Sequence, residues 1–204
     1  LLSPLPTKVK EAISLYQTIL TDASFYRGLL RFDEDLAEQA RQTGCRCGGK
    51  LHSARYRRKP RGVPEELQED YSTRRSFCCA QEGCRKRTTP ASFRFLSRRV
   101  YVGAVVVLVT ALRHGATAAR VAQLRAIVGV SRRTLEQWRR WWLEEFSRSS
   151  FWRWASGQLA SPVEHERLPL SLLESFRKPR AEERTVDLLR FILPLTTTSA
   201  MQET

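Results

Sequence analysis

The sequence predicts a mainly α protein with a small cysteine-clamped module of short antiparallel β-strands and a three-helix helix-turn-helix core. Three observations predict it. Apolar residues recur at three- and four-residue steps through residues 1–43 and again after residue 100, which is the helical period. Residues 44–99 lose that period and fill with Gly, Pro, Cys and Arg, and all five cysteines fall within 45–84. Residues 117–142, TAARVAQLRAIVGVSRRTLEQWRRWW, then read as two helices around a tight Gly-containing turn.

Residues 1–43 are expected to be N-terminal helices. Residues 7–20 carry Val9, Ile13, Tyr16 and Leu20 along one face, with Tyr16 needing a partner for its hydroxyl. Residues 23–42 align Phe25, Leu29, Phe32, Leu36 and Ala40, and Gly44 provides the stop. Residues 44–99 form the basic module. GVPEELQED reads as a turn and a short helix, and residues 72–77 and 88–95 have strand-like composition. This module has too little core to fold alone and needs a staple. Residues 100–150 hold the helix-turn-helix. In 100–112 the valines favour a strand, but the length and the helices that follow favour a helix. Residues 151–180 supply packing helices at 150–159 and 170–176, broken by SPVEHERLP. Trp141, Trp152 and Trp154 are expected to pack this unit onto the helix-turn-helix. Residues 181–204 read as an amphipathic helix to Leu193 and a loose tail.

The formal net charge is +14, and its distribution says more than its size. Residues 41–100 hold 16 basic and 5 acidic side chains, and residues 101–150 hold 8 and 3; the flanks are near neutral. A basic block of this kind points to a polyanion, the bland alternative being a merely soluble basic face. Arg dominates it, and guanidinium forks suit phosphate and guanine edges. The first residues, LLSPLPTKVK, lack the pattern of a signal peptide, and VYVGAVVVLVTAL is too short to span a bilayer. A soluble cytoplasmic protein is the expectation.

The cysteines form two close clusters, Cys45 and Cys47, then Cys78, Cys79 and Cys84. An odd count in a cytoplasmic chain argues against a disulfide framework. Two turns about thirty residues apart, each presenting two thiolates to one tetrahedral ion, are what a zinc ribbon needs. Cys45, Cys47, Cys79 and Cys84 are the expected ligands of a structural Zn2+. Cys79 is preferred to Cys78 because it gives the tighter turn, with Cys78 and His52 kept as alternatives. Metal-free buried thiols and a redox pair are the competing readings. Four cysteines would close the coordination and leave no place for a catalytic water.

In the helix-turn-helix, Val121, Leu124 and Val128 stripe the first helix, Gly129 permits the turn, Val130 plugs the core and Ser131 caps the second helix. Leu135, Trp138 and Trp142 face inward at i, i+3 and i+7. Arg132, Arg133, Thr134, Gln137 and Arg140 then become candidates for the major groove, with Glu136 on the same outer side. Arg55, Arg57, Arg58, Lys59 and Arg61 are the candidate phosphate contacts of the basic module. The alternatives are an ordinary helical hairpin with a solvated Arg face, or tryptophans that stack single-stranded bases.

CRCGGKL with FCCAQEGCRKRTTP, followed by VGVSRRTLEQWRRWW, resembles the zinc-ribbon and helix-turn-helix DNA-binding region of bacterial insertion-sequence transposases. The resemblance covers residues 45–142 and departs at the CxC spacing of the first cluster. In that family a catalytic domain with three carboxylates follows; here Glu164, Glu166, Glu174 and Asp187 are scattered through helical or turn segments. The resemblance implies a sequence-specific double-stranded DNA-binding accessory or regulator of a mobile element, not an enzyme. A truncated transposase and an RNA or single-strand binder are the alternatives. The expected partners are duplex DNA and either a second copy of the chain or other mobile-element proteins, with no membrane and no small-molecule substrate.

Overall fold

In the computed structural model, which describes residues 15–96, 99–114 and 117–197, the N-terminal part is built on the helix Ala23–Thr43 (α1). Asp22 caps it, its carboxylate accepting the Ser24 N–H at 2.8 Å. Gly44 ends it at φ 75°, a left-handed conformation that favours glycine. Phe25, Tyr26 and Leu29 are buried on one face, whereas Phe32, Leu36 and Ala40 are half-buried. Residues 15–19 form a helical turn ahead of α1. Tyr16, Ile19 and Leu20 are buried there, and the Tyr16 hydroxyl lies 3.4 Å from the Arg184 guanidinium. Val9 and Ile13 lie outside the described residues.

The module after α1 has five short strands: Leu51–Ser53 (β1), Tyr56–Arg57 (β2), Thr73–Arg74 (β3), Phe77–Cys79 (β4) and Arg87–Thr88 (β5). They pair antiparallel as β1-β4-β5 and β2-β3. A 3-10 turn, Glu65–Leu67, and the helix Gln68–Tyr71 (α2) join β2 to β3, as GVPEELQED predicts. The strands are shorter than expected, and β1 and β2 carried no recognised signal. The expected strand over 88–95 is mostly an irregular strap in which Ser92, Phe93, Arg94, Phe95 and Leu96 are buried.

Gly103–Leu112 (α3) is buried at every residue. That accounts for a valine-rich run forming a helix: an all-apolar helix is the form a central core element takes. Around it pack Ala118–Val128 (α4), Arg132–Arg140 (α5) with a π-helical extension Trp141–Phe146, Ser150–Ser156 (α6), Leu170–Ser175 (α7) and Ala181–Phe191 (α8). The fold is therefore mainly helical with a small antiparallel β module, as predicted. One core joins the N-terminal turn and α1 to α2, the strap and all the later helices, while Ala37, Cys45, Leu51, Phe77 and Cys79 form a second, small one.

Two expectations are corrected. Trp141 and Trp152 are buried, but Trp154 is 66% exposed and is not a packing residue. The C-terminal helix stops at Phe191, and a 3-10 turn, Leu193–Thr196, packs back: Thr196 Oγ1 accepts the Ser92 N–H at 3.0 Å. Only residues 198–204 of the expected tail lie outside the described residues.

Asp33 on α1 is 2% exposed and tied to the strap. One oxygen accepts the Phe93 N–H at 2.6 Å; the other accepts Arg94 Nε at 2.8 Å and the Ser92 hydroxyl at 2.5 Å. Arg94 also donates to the carbonyls of Asp70 and Thr73. Arg74, likewise buried, approaches Asp33 at 4.0 Å and donates to the Pro90 carbonyl. Removing one member of a buried, hydrogen-bonded ion pair costs about 3–5 kcal/mol. Arg94→Met should therefore lower the unfolding free energy by about that amount, read as a fall in the urea midpoint.

Candidate metal centre and nucleic-acid interface

The sulfurs of Cys45, Cys47, Cys79 and Cys84 all lie within 4.8 Å of one another. Cys45 and Cys84 are 3.7 Å apart, and Cys47 and Cys79 are 3.5 Å apart. A disulfide needs about 2.05 Å, whereas a tetrahedron of metal–sulfur bonds of about 2.3 Å has edges of about 3.8 Å. The four thiols form a set able to hold one metal ion, and they are the four predicted.

Local backbone explains why. The CxC spacing works because Cys45–Gly48 is a closed turn: Gly48 N–H donates to Cys45 O at 2.8 Å and Cys45 N–H to Gly49 O at 3.1 Å. Gly48 takes φ 80°. Gly49 has no room for a side chain, since a Cβ there would sit 2.6 Å from Cys79 Sγ and 2.9 Å from Gln81 Cβ. Cys79 Sγ accepts the Gln81 N–H, two residues on, at 3.4 Å, and the Gly49 and Lys86 N–H groups favour the thiolates of Cys47 and Cys84. Such donors orient and stabilise thiolate ligands.

Strand alternation settles the choice of cysteine. Cys79 points into the small core, and Cys78, on the other face of β4, donates its thiol to the Arg85 carbonyl at 3.3 Å. His52 pairs with Cys78 in register, is exposed, and is not in the cluster.

The Gly49 N–H and the neighbouring sulfurs bring the Cys47 thiol down to about 7. At Cys79 the Gln81 N–H pulls the other way, but burial and the other three cysteines push the thiol up to about 12. Cys84 is also raised: the Lys86 N–H lowers it, and Cys47, Cys45 and burial outweigh that. The metal-free cluster therefore keeps protons that a metal must expel.

In the helix-turn-helix, Gly129 turns the chain at φ 62°. Its carbonyl accepts the Tyr101 hydroxyl at 2.8 Å, and the Val130 carbonyl accepts Arg125 Nε at 3.1 Å. Ser131 Oγ accepts the Thr134 N–H at 3.1 Å, capping α5 as predicted. Leu124, Val128, Val130, Leu135, Trp138 and Trp142 are buried, and Val121 is half-buried. Arg132, Arg133, Gln137, Arg139 and Arg140 are exposed. At 100° per residue, Arg133, Gln137 and Arg140 share the face opposite Trp138. Thr134 is half-buried and its hydroxyl is engaged with Ser131 at 2.9 Å.

In the module, Arg55, Arg57, Lys59 and Arg61 are exposed. Arg58 differs from the others: its guanidinium donates to the Arg99 carbonyl at 2.7 Å and lies over the Phe95 ring, so it holds the strap. Arg85, Lys86 and Arg87 are exposed beside the second cysteine turn, with Arg87 over the Tyr56 ring. The sequence showed them only as part of GCRKR; the seat of Arg87 over Tyr56 of β2 needs the tertiary packing.

The module is joined to the helix-turn-helix. Arg61 N–H donates to Val100 O at 3.1 Å and Val102 N–H to Arg61 O at 3.2 Å, so Arg61 bridges to Tyr101. Gly62, at φ 80°, lies against Val105 of α3, whose methyl would be 2.7 Å from any Cβ. Because Tyr101 also reaches Gly129, the basic loop and the α5 turn are fixed through one residue.

Three outcomes are expected. Cys84→Ser should abolish metal retention through dialysis, read by elemental analysis. Gly49→Ala should weaken metal binding by about 10–100-fold, as loss of ligand support does. Because bound sulfurs are thiolates while Cys79 and Cys84 hold protons, retention against a chromophoric chelator should fall as pH falls from 8 to about 6.

Comparison of the chain with protein-family models, with curated proteins and with solved structures returns no match, so its functional reading rests on the geometry above.

Proposed function

We propose that this chain is a sequence-specific double-stranded DNA-binding protein of a mobile element, an accessory or regulator that performs no catalysis of its own. One observation carries the reading. Among the described residues, the acidic side chains that form ion pairs are matched with other cations, and Arg132, Arg133, Arg139, Arg140, Arg55, Arg57, Lys59, Arg61, Arg85 and Lys86 take part in none. These unpaired cations occupy the outer face of α5 and the adjoining cysteine module. Such a surface is suited to a polyanion.

The role of each part follows. α5 enters the major groove. Arg133, Gln137 and Arg140 span about 10 Å along the helix axis, roughly three base-pair steps. Arg55, Arg57, Lys59 and Arg61, with Arg85 and Lys86, meet phosphate. Zn2+ is the metal we assign to the four cysteines: a soft, all-thiolate tetrahedral set with no open position suits a structural zinc. When bound it fixes both cysteine turns, and the basic loop with them. A single-strand stacking platform has less support, because four of the five tryptophans are buried and Trp154 alone is exposed.

Selection from random duplexes should return a preferred site, a palindromic one indicating a dimer. Binding to it should weaken steeply with salt. Arg133→Ala should cost about 1–3 kcal/mol on that site and relax choice at one position. Arg57→Ala should weaken all duplexes alike and reduce the salt slope by about one. Equal affinity for duplex and single-stranded RNA of matched length would overturn the reading.

A further inference from the structure

Glu136 is the one acidic side chain of α5. It stands among cations, with Arg132 four residues before it and Arg139 and Arg140 three and four after it. On an isolated helix these are the spacings at which Glu and Arg pair, and Glu ahead of its cation at i, i+4 is the better order. In the structure Glu136 pairs with none of them. Arg113, just past the end of α3, takes both of its oxygens instead: Nη2 meets Oε1 at 2.7 Å and Nη1 meets Oε2 at 2.9 Å. This two-pronged fork is the strong form of an Arg–carboxylate contact. Its side chains are 28% and 40% exposed, so water screens it only in part. The same hydrogen bond, then burial, then the coulombic pull of Arg113, Arg139 and Arg132 govern Glu136, with a net lowering that keeps it charged.

We infer that Arg113 is a positioning residue for DNA recognition: it holds the Glu136 carboxylate toward α3 and so keeps Arg132, Arg139 and Arg140 free for phosphate and base edges. The inference rests on the DNA-binding reading above. Without Arg113, Glu136 turns to its helical neighbours. Each ion pair it forms there must be broken before the guanidinium can meet DNA, and an unmasked carboxylate beside the phosphates adds repulsion. Arg113 thereby raises affinity without touching the duplex.

The test uses the full chain, its zinc and the selected duplex, with affinity read by fluorescence anisotropy at about 50 mM and about 200 mM salt. Arg113→Met should weaken binding about two- to fivefold at the lower salt and less at the higher, since exposed pairs are screened. Arg113→Lys should fall between. Glu136→Gln alone should bind as well as wild type or tighter, and Arg113→Met with Glu136→Gln should recover wild-type affinity. A role in packing or direct contact predicts no recovery, so a double variant as weak as Arg113→Met overturns the inference. So does an Arg113→Met variant that binds like wild type. If Arg113→Met does not fold, Glu136→Gln decides: weaker binding, or lost preference at one C·G pair, would make Glu136 a base reader and the inference wrong. A wild-type chain that binds no duplex sinks the DNA-binding reading and this inference with it, whereas wild-type binding without recovery sinks this inference alone.

Discussion

The carboxylate of Asp33, buried in the middle of α1, is the point on which the arrangement of the other parts depends. It accepts from the Ser92 hydroxyl, the Phe93 N–H and Arg94 Nε. Arg94 in turn reaches the carbonyls that lead from α2 into β3, and its guanidinium lies 5.0 Å from the Tyr71 ring centre and 4.9 Å from that of Phe95. A charge in such a place is costly unless every acceptor and donor is matched. Matching them fixes three segments at once: α1, the strap and the base of the cysteine module. Arg74 adds a second cation to the same site, and its burial lowers its pKa against the upward pull of Asp33.

From that point the basic module is held at two ends. Its far end closes on the four cysteines and packs against Ala37 and Ala40 of α1. Its near end bridges, through Arg61 and Gly62, to the start of α3. A module with so small a core gains its rigidity from these attachments and from the cluster. The helix-turn-helix shares α3 with the rest of the core, so the exposed face of α5 and the basic loop sit on one rigid support. Preorganisation of this kind reduces the ordering cost of binding.

The charges sort in the same way. Several acidic residues on α1, on the turn before α2 and on the C-terminal helices are matched with cations outside the basic block's exposed face, as in Arg27–Glu66, Arg75–Glu34 and Arg167–Glu174. The cations of the middle of the chain have few acids near them. Glu136 is one of those few, and Arg113 pairs with both of its oxygens. Counting charges along the chain located the basic block, but the count treats Arg58, Arg74, Arg94 and Arg99 like any other cation. Arg74 and Arg94 are buried and Arg58 and Arg99 half-buried, all serving the interior.

Local pattern alone determined the helices, the turn at Gly129, the Ser131 cap, the inward row of Leu135, Trp138 and Trp142, and the four cysteines of the cluster. Each of these depends on residues close in sequence: helical period, backbone freedom, a cap three residues from its donor, or two thiols in one turn. The preference for Cys79 over Cys78 also held, because alternation along β4 sends neighbouring cysteines to opposite faces. Tertiary structure decided what depends on distant partners. Strands of two or three residues have no period to read, so β1 and β2 exist because β4 and β3 pair with them. Asp33 and Arg94 are 61 residues apart, and Arg113 and Glu136 are 23 apart. Nothing local distinguishes these side chains from solvated ones, because a buried charge is defined by the partners that long-range packing brings to it.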